Sequence, residues 1–264
     1  MTRLVVVGGG RMGRAFLGGL LRSGWAVPGE LGVVEPQASA RAELVEHYPG
    51  VVVSEEVIPA ESAVLAVKPA DARAGCQTIA GSGCRRVLSI VAGLRLAQLE
   101  SWLGRDVVVL RAMPNTPVLL GSGASALAGG SSVTESDLTW AEGVLLSLGV
   151  VARFPEYQLD AVTGLAGSGP AYLFLLAEAM VEAGVNAGLE REASRLFTVQ
   201  TLIGSARLLY ESGDSPELLR AAVTSPGGTT AAALRVLEAH GFRSAVIEAV
   251  AAAASRSREL GAKD

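Results

Sequence analysis

The first half of the chain alternates short apolar runs with longer stretches of mixed polarity, and most of the apolar runs stop at glycine, proline or a charged residue. Leu4–Val7 is four consecutive apolar residues, mostly β-branched, suited to a strand buried on both faces of a parallel sheet. Arg14 to Leu21 follows with helical spacing and stops at Gly24. The same reading predicts strands at Leu31–Val34, Val51–Val53, Ser62–Val67, Arg86–Ile90, Asp106–Leu110 and Val150–Phe154. Between them it predicts helices at Ser39–Tyr48, Ala70–Ala80, Leu96–Leu103 and Thr134–Leu148. Strand–helix alternation of this kind predicts a doubly wound α/β domain over residues 1–154. Ligands in such sheets sit beyond the carboxyl ends of the strands, so the residues that follow each strand are the ones to read.

After Pro155 the strand signals cease. Helices are predicted at Pro170–Ala183, Leu189–Tyr210, Glu217–Val223, Thr229–Glu238 and Phe242–Leu260, so residues 155–264 form an all-helical domain. Ser215-Pro216 has the residue types of a helix cap and first turn. These helices are rich in alanine, leucine and glycine and offer little polar face. Alone they would leave large apolar patches in water, which predicts a homo-oligomer with interlocked helices.

Composition narrows the class. The 264 residues are 50% hydrophobic and 18% charged with a net charge of −4, the profile of a globular protein and not of a nucleic-acid or anionic-membrane binder. An unbroken apolar run of spanning length is absent, so no transmembrane segment is expected. The first strand begins almost at the N-terminus, so no signal peptide is expected and the cytoplasm is the expected location. Cys76 and Cys84 lack CxxC spacing and histidine neighbours, so neither a disulfide framework nor a metal site is expected.

The chemistry concentrates in a few places. Gly8, Gly10 and Gly13 fall in G-x-G-x-x-G spacing between the first strand and the first helix, the arrangement of a Rossmann-like dinucleotide turn. The free N–H groups and dipole of the helix start suit a pyrophosphate. Glu35 ends the second strand, where an acid accepts from ribose hydroxyls and repels a 2′-phosphate; this leans toward NADH, with Arg11 and Arg41 as the cations able to offset it. Lys68 follows a buried strand and precedes Pro69 in a chain with 22 basic residues but only two lysines, the second being Lys263. Ala92-Gly93 follows the fifth strand, small enough to admit a nicotinamide. Met113-Pro-Asn-Thr-Pro117 follows the sixth, with two prolines stiffening the loop around Asn115. In the helical half, Val223-Thr-Ser-Pro-Gly-Gly-Thr-Thr230 precedes a helix and combines bare glycine amides with hydroxyls. It reads as an anion nest for a small carboxylate or, equally, as a capped helix start.

On these motifs the chain resembles the pyrroline-5-carboxylate reductase family. The matching pieces are Gly8–Gly13, Ala66-Val-Lys-Pro69, Ser89-Ile-Val-Ala-Gly93, Arg111-Ala-Met-Pro-Asn-Thr-Pro117, Asp160 to Tyr172 and Val223–Thr230, in order from end to end. The resemblance implies reduction of 1-pyrroline-5-carboxylate to L-proline by NADPH or NADH. It also implies an all-helical dimerisation domain that intertwines in a homodimer and leaves assembly into a larger ring open. By position it assigns cofactor contacts to Gly8, Gly9, Gly10, Arg11, Met12, Gly13, Glu35, Ser54, Ala66, Val67, Lys68, Pro69, Ala92, Gly93, Met113 and Asn115. It assigns the substrate carboxylate to Ser225, Gly228, Thr229 and Thr230, reaching a cofactor held by the partner subunit, with Glu156 as a further polar contact near the ring. Thr230 would act on the ring nitrogen, directly or through water. Glu35-Pro36 departs from the polar or basic residues that many members carry there for a 2′-phosphate. A hydroxyacid dehydrogenase of the 6-phosphogluconate kind would need a lysine on the helix after the first domain, and Pro170–Ala183 has none. A non-catalytic dinucleotide-binding regulator would not need the second nest.

Overall fold

Residues 2–261 are described by a computed structural model of the chain. Its strands are β1 (Thr2–Val7), β2 (Leu31–Val34), β3 (Val52–Ser54), β4 (Ala60–Leu65), β5 (Arg86–Ser89), β6 (Val108–Pro114), β7 (Gly123–Gly129) and β8 (Gly149–Arg153). They form one sheet in the order β3-β2-β1-β4-β5-β6-β7-β8. The first six run parallel, β7 is antiparallel to β6, and β8 is parallel to β7. The strand order reverses where β1 lies between β2 and β4, which is where a doubly wound sheet opens its crevice.

Helices α1 (Arg11–Arg22), α2 (Ala38–His47), α3 (Ala72–Gly81), α4 (Leu96–Leu103) and α5 (Glu135–Leu146) cover the sheet. The apolar run of β1 serves both faces. Leu4 and Val6 join Phe16, Leu17 and Leu20 of α1 in one core, while Val5 and Val7 join Cys76, Ile79 and Leu99 in the other. Strand β7 was not predicted: its sequence, Gly-Ala-Ser-Ala-Leu-Ala-Gly, has no β-branched residue, and pairing with β6 holds it in place. Strand β6 also begins later than expected and continues to Pro114.

The remaining helices are α6 (Leu159–Val162), which continues through a π-helical turn (Thr163–Gly167) toward α7 (Gly169–Asn186), then α8 (Arg191–Ser212), α9 (Pro216–Ala222), α10 (Thr229–Ala239) and α11 (Phe242–Leu260). The chain divides into two compact units, one running to Ser168 and resuming at Ala252, the other Gly169–Ala251. The division falls later than the expected boundary after residue 154. Leu159 is fully buried in the sheet's second core with Phe154 and Val162 packed against it, so the chain past Pro155 still belongs to the sheet unit. The end of α11 belongs there too: Ala254 and Ser257 are buried, and the Ser257 hydroxyl donates to Asp160 Oδ1 at 2.6 Å.

Within the second unit α7 and α8 pack together, and Ser194 Oγ donates to the Val181 carbonyl at 2.8 Å beside the bare Cα of Gly184. Ser194 and Thr198 are the residues this unit buries. Its large apolar side chains, among them Phe174, Leu175, Phe197 and Ile247, stand in the open. Against the sequence expectation, the continuous helical stretch Glu156–Asn186 is long and apolar enough to cross a membrane by length and composition. Scattered glycine and glutamate break its apolar run without lowering its average enough to fail that test.

Candidate functional site

Parallel strands put their carboxyl ends on one edge, so the segments after β1, β2, β4, β5 and β6 are neighbours there. Backbone bonds stitch them together. Gly8 N–H donates to the Val34 carbonyl at 2.9 Å, Ala66 N–H to Val7 at 2.8 Å and Glu35 N–H to Ser54 at 2.9 Å. Thus the structure brings Gly8–Gly13, Glu35, Ser54, Ala66–Pro69, Ala92-Gly93 and Met113–Asn115 to the same edge.

The glycines of the first turn divide by what surrounds them. Gly8 has φ +107°, and a Cβ there would meet the Ala66 carbonyl oxygen at 2.7 Å. A Cβ on Gly9 would meet Leu44 Cδ1 at 2.6 Å, and one on Gly13 would run into the carbonyl of Gly8. Gly10 is different: it is exposed, its φ of −71° suits any residue, and nothing lies within 4 Å of its Cβ position. Neither backbone nor packing asks for glycine at that point. Gly10 is also the N-cap of α1 and gives no side-chain cap, so the first-turn amides have no side chain competing for them. Open space facing uncapped amides fits a pyrophosphate.

Glu35 is buried, and both carboxylate oxygens are held: Oε2 accepts from Gly9 N–H and Oε1 from Gln37 N–H, each at 2.9 Å. The acid therefore braces the glycine turn from below. Arg41 donates to the carbonyls of Glu35 and Pro36 and pairs with Glu55 at 2.6 Å, so the structure commits one of the two cations expected to offset Glu35. The other, Arg11, is exposed at the start of α1 and makes no ion pair among the described residues. Lys68 is likewise exposed and unpaired among them, in extended backbone ahead of a short helical turn at Pro69–Asp71.

Two expected contacts also bond within the chain. The Asn115 amide is held at both ends, Oδ1 accepting from Ala124 N–H at 2.9 Å and one Nδ2 hydrogen donating to the Ala166 carbonyl at 3.1 Å, which fixes its orientation in the loop. The resemblance implies Glu156 as a polar contact for the substrate ring. In the structure its Oε1 accepts from Leu96 N–H at 2.7 Å and from Arg111 Nη1 at 3.0 Å, because buried Arg111 needs a counter-charge. In the sequence, the sign of this buried charge is an arginine directly after Val-Val-Val-Leu in a strand. The side chain of Met113 is half-buried, its Cε against Gly167.

Among the described residues of the sheet unit, no imidazole or thiol stands on this edge. His47 Nδ1 engages the Glu43 carbonyl on α2, and His240 is exposed at the end of α10. Cys76 is buried under the sheet, and burial pushes its thiol up to about 11, so it stays protonated at neutral pH.

In the helical unit the Val223–Thr230 segment forms the turn before α10. Gly227 has φ +69°, Gly228 N–H donates to the Ser225 carbonyl at 3.0 Å, and a Cβ on Gly228 would strike Ser225 Oγ. Gly228 is the N-cap of α10 without a side-chain cap, and Ser225 and Thr229 are exposed beside it, with Thr230 half-buried. The turn therefore presents amides and hydroxyls at the positive end of an eleven-residue helix.

Comparison with known proteins agrees with this anatomy. Residues 156–260 match the family model described as pyrroline-5-carboxylate reductase dimerisation, and residues 3–93 match that of NADP oxidoreductase, coenzyme F420-dependent. A pyrroline-5-carboxylate reductase of Mycobacterium tuberculosis is 44% identical over 98% of this chain and 97% of its own length. A solved pyrroline-5-carboxylate reductase of Coxiella burnetii superposes with a TM-score of 0.92 at 34% identity, covering 99% of both chains. The Plasmodium falciparum pyrroline carboxylate reductase, solved with NADP bound, gives 0.85 at 28% identity over 99% of this chain and 98% of that one. With relatives this similar along nearly its whole length, the chain belongs to the pyrroline-5-carboxylate reductase family.

Proposed function

We propose that this chain reduces 1-pyrroline-5-carboxylate to L-proline, the closing step of proline biosynthesis, with a nicotinamide dinucleotide held on the Gly8–Gly13 turn. The observation that carries the assignment of the turn is Gly10, a glycine that neither the backbone nor the protein's own packing requires. When bound, the cofactor supplies a hydride to the imine carbon. The α1 amides hold its pyrophosphate, Glu35 faces the adenosine ribose, and the Ala92-Gly93 and Met113–Asn115 loops lie beside the nicotinamide. Lys68 and its neighbours Ala66, Val67 and Pro69 complete the wall.

The Ser225–Thr230 turn takes the substrate carboxylate, and Thr230 hydrogen-bonds the ring nitrogen. A protonated cyclic imine is already electrophilic, so alignment and exclusion of water do most of the work. This agrees with an edge that offers no histidine. Glu35, buried and backed by the Arg41–Glu55 pair, favours NADH over NADPH. The open apolar face of the helical unit is covered by a second copy in a homodimer, and the enzyme works in the cytoplasm. Imine-dependent oxidation of NADH and NADPH, with L-proline as product, tests the reading. A purified chain that oxidises neither would refute it.

A further inference from the structure

Arg111 and Glu156 bond to each other and connect the two loops given to the nicotinamide. Arg111 is buried in β6, in register with Ser89 of β5 and Ala128 of β7, just before Met113. Ser89 in turn opens the Ile90–Arg95 loop. One oxygen, Glu156 Oε1, accepts both from Arg111 Nη1 and from Leu96 N–H, the first residue of α4 after that loop. The positive start of α4 suits the carboxylate, so the geometry is favourable at both ends. Beyond Met113 the same loop is fixed by the two hydrogen bonds of Asn115. Stability alone is a weak reason for such a pair, because well-packed apolar residues often replace a buried ion pair without loss.

We propose that Arg111 and Glu156 are positioning residues for hydride transfer: their ion pair holds the Ile90–Arg95 and Met113–Asn115 loops in one register, and with them the nicotinamide. The proposal rests on the assignment of those loops made above.

Three variants test it in the full chain: Glu156→Gln, Glu156→Ala and the apolar double variant Arg111→Met with Glu156→Met. Melting temperature, NADH affinity by fluorescence titration, emission of the bound nicotinamide, kcat and KM are measured for each. Gln keeps an oxygen that can accept both bonds but removes the counter-charge of Arg111, so the kcat of Glu156→Gln falls between those of the parent and of Glu156→Ala. The alanine and double variants lose at least about tenfold in kcat and shift the emission of bound NADH, while NADH affinity stays within about threefold because the glycine turn is untouched. A stable double variant with kcat within twofold of the parent overturns the proposal, as does a loss confined to NADH affinity. Failure of both the alanine and the double variant to melt cooperatively also overturns it, by making the pair structural. Failure of the underlying cofactor assignment is seen separately, as retained NADH affinity in a folded Gly10→Val protein.

Discussion

Phe16 and Phe197 both lie on long helices, yet one is fully buried against β1 and the other is 67% exposed. The contrast holds for their regions. The sheet unit closes a core on each face from its own residues. The unit from Gly169 to Ala251 has comparable apolar content and buries only Ser194 and Thr198. Hydrophobicity was sufficient in both; a second layer to bury it against was present in only one. The homodimer proposed above gives the second region its missing layer, and each substitution below probes one side of that difference.

Within the self-sufficient region the test falls on two glycines of one turn. Gly10→Val should leave the melting temperature unchanged and weaken NADH binding by more than about 100-fold, roughly 2.7 kcal/mol. Gly13→Ala should do the reverse in kind, destabilising by about 1–3 kcal/mol or more because its Cβ meets the Gly8 carbonyl. Calorimetry and fluorescence titration separate the two. Equal behaviour of both variants would erase the distinction between ligand space and packing space.

Phe197→Asp asks the corresponding question of the incomplete region. On a truly solvated face the change is worth within about 0.5 kcal/mol. Covered by a second copy, it buries an unpaired charge and should cost about 3–5 kcal/mol of the assembly. Light scattering of the variant then gives the mass of one chain. An unaltered assembly would remove Phe197 from the interface.

Thr230→Ala keeps a good helix former at α10, so the helical unit should be unperturbed. Loss of one hydrogen bond to a charged group should reduce kcat/KM for the imine by about 10- to 150-fold, or 1.5–3 kcal/mol, with NADH affinity nearly constant. An efficiency within twofold of the parent would leave the turn a helix start and nothing more. The smallest effect belongs to Glu35→Ser, expected to shift the ratio of efficiencies toward NADPH by about tenfold, or 1.4 kcal/mol. Because Glu35 also braces Gly9, the melting temperature should fall as well. An unchanged ratio with a lowered melting temperature would make Glu35 a brace alone.

The two regions also differ in how legible they were. The β1 run, the glycine turn and the helix at Leu96–Leu103 follow from local pattern, since burial on both faces and tight turns leave their mark within a few residues. The helices of the second half were equally readable, including α11 at Phe242–Leu260. Long-range partners were not. Strand β7 is held by pairing with β6, which a Gly-Ala-Ser stretch does not announce. The tasks of Asn115 and Glu156 depend on Ala166 and Arg111, which lie far along the chain. The residue types announce polar side chains at those positions, but which groups they bond requires the fold. The division after Ser168 was hidden for the same reason: Leu159 belongs with the sheet only because of what it packs on.

The central claim is that the helical region is one half of a shared core. Light scattering on the full chain, followed down a dilution series, tests it most directly. A mass of two chains, or of a larger even number, that persists until the helical signal is lost is the predicted result. A folded, cooperatively melting species at the single-chain mass of 27.0 kDa would contradict it.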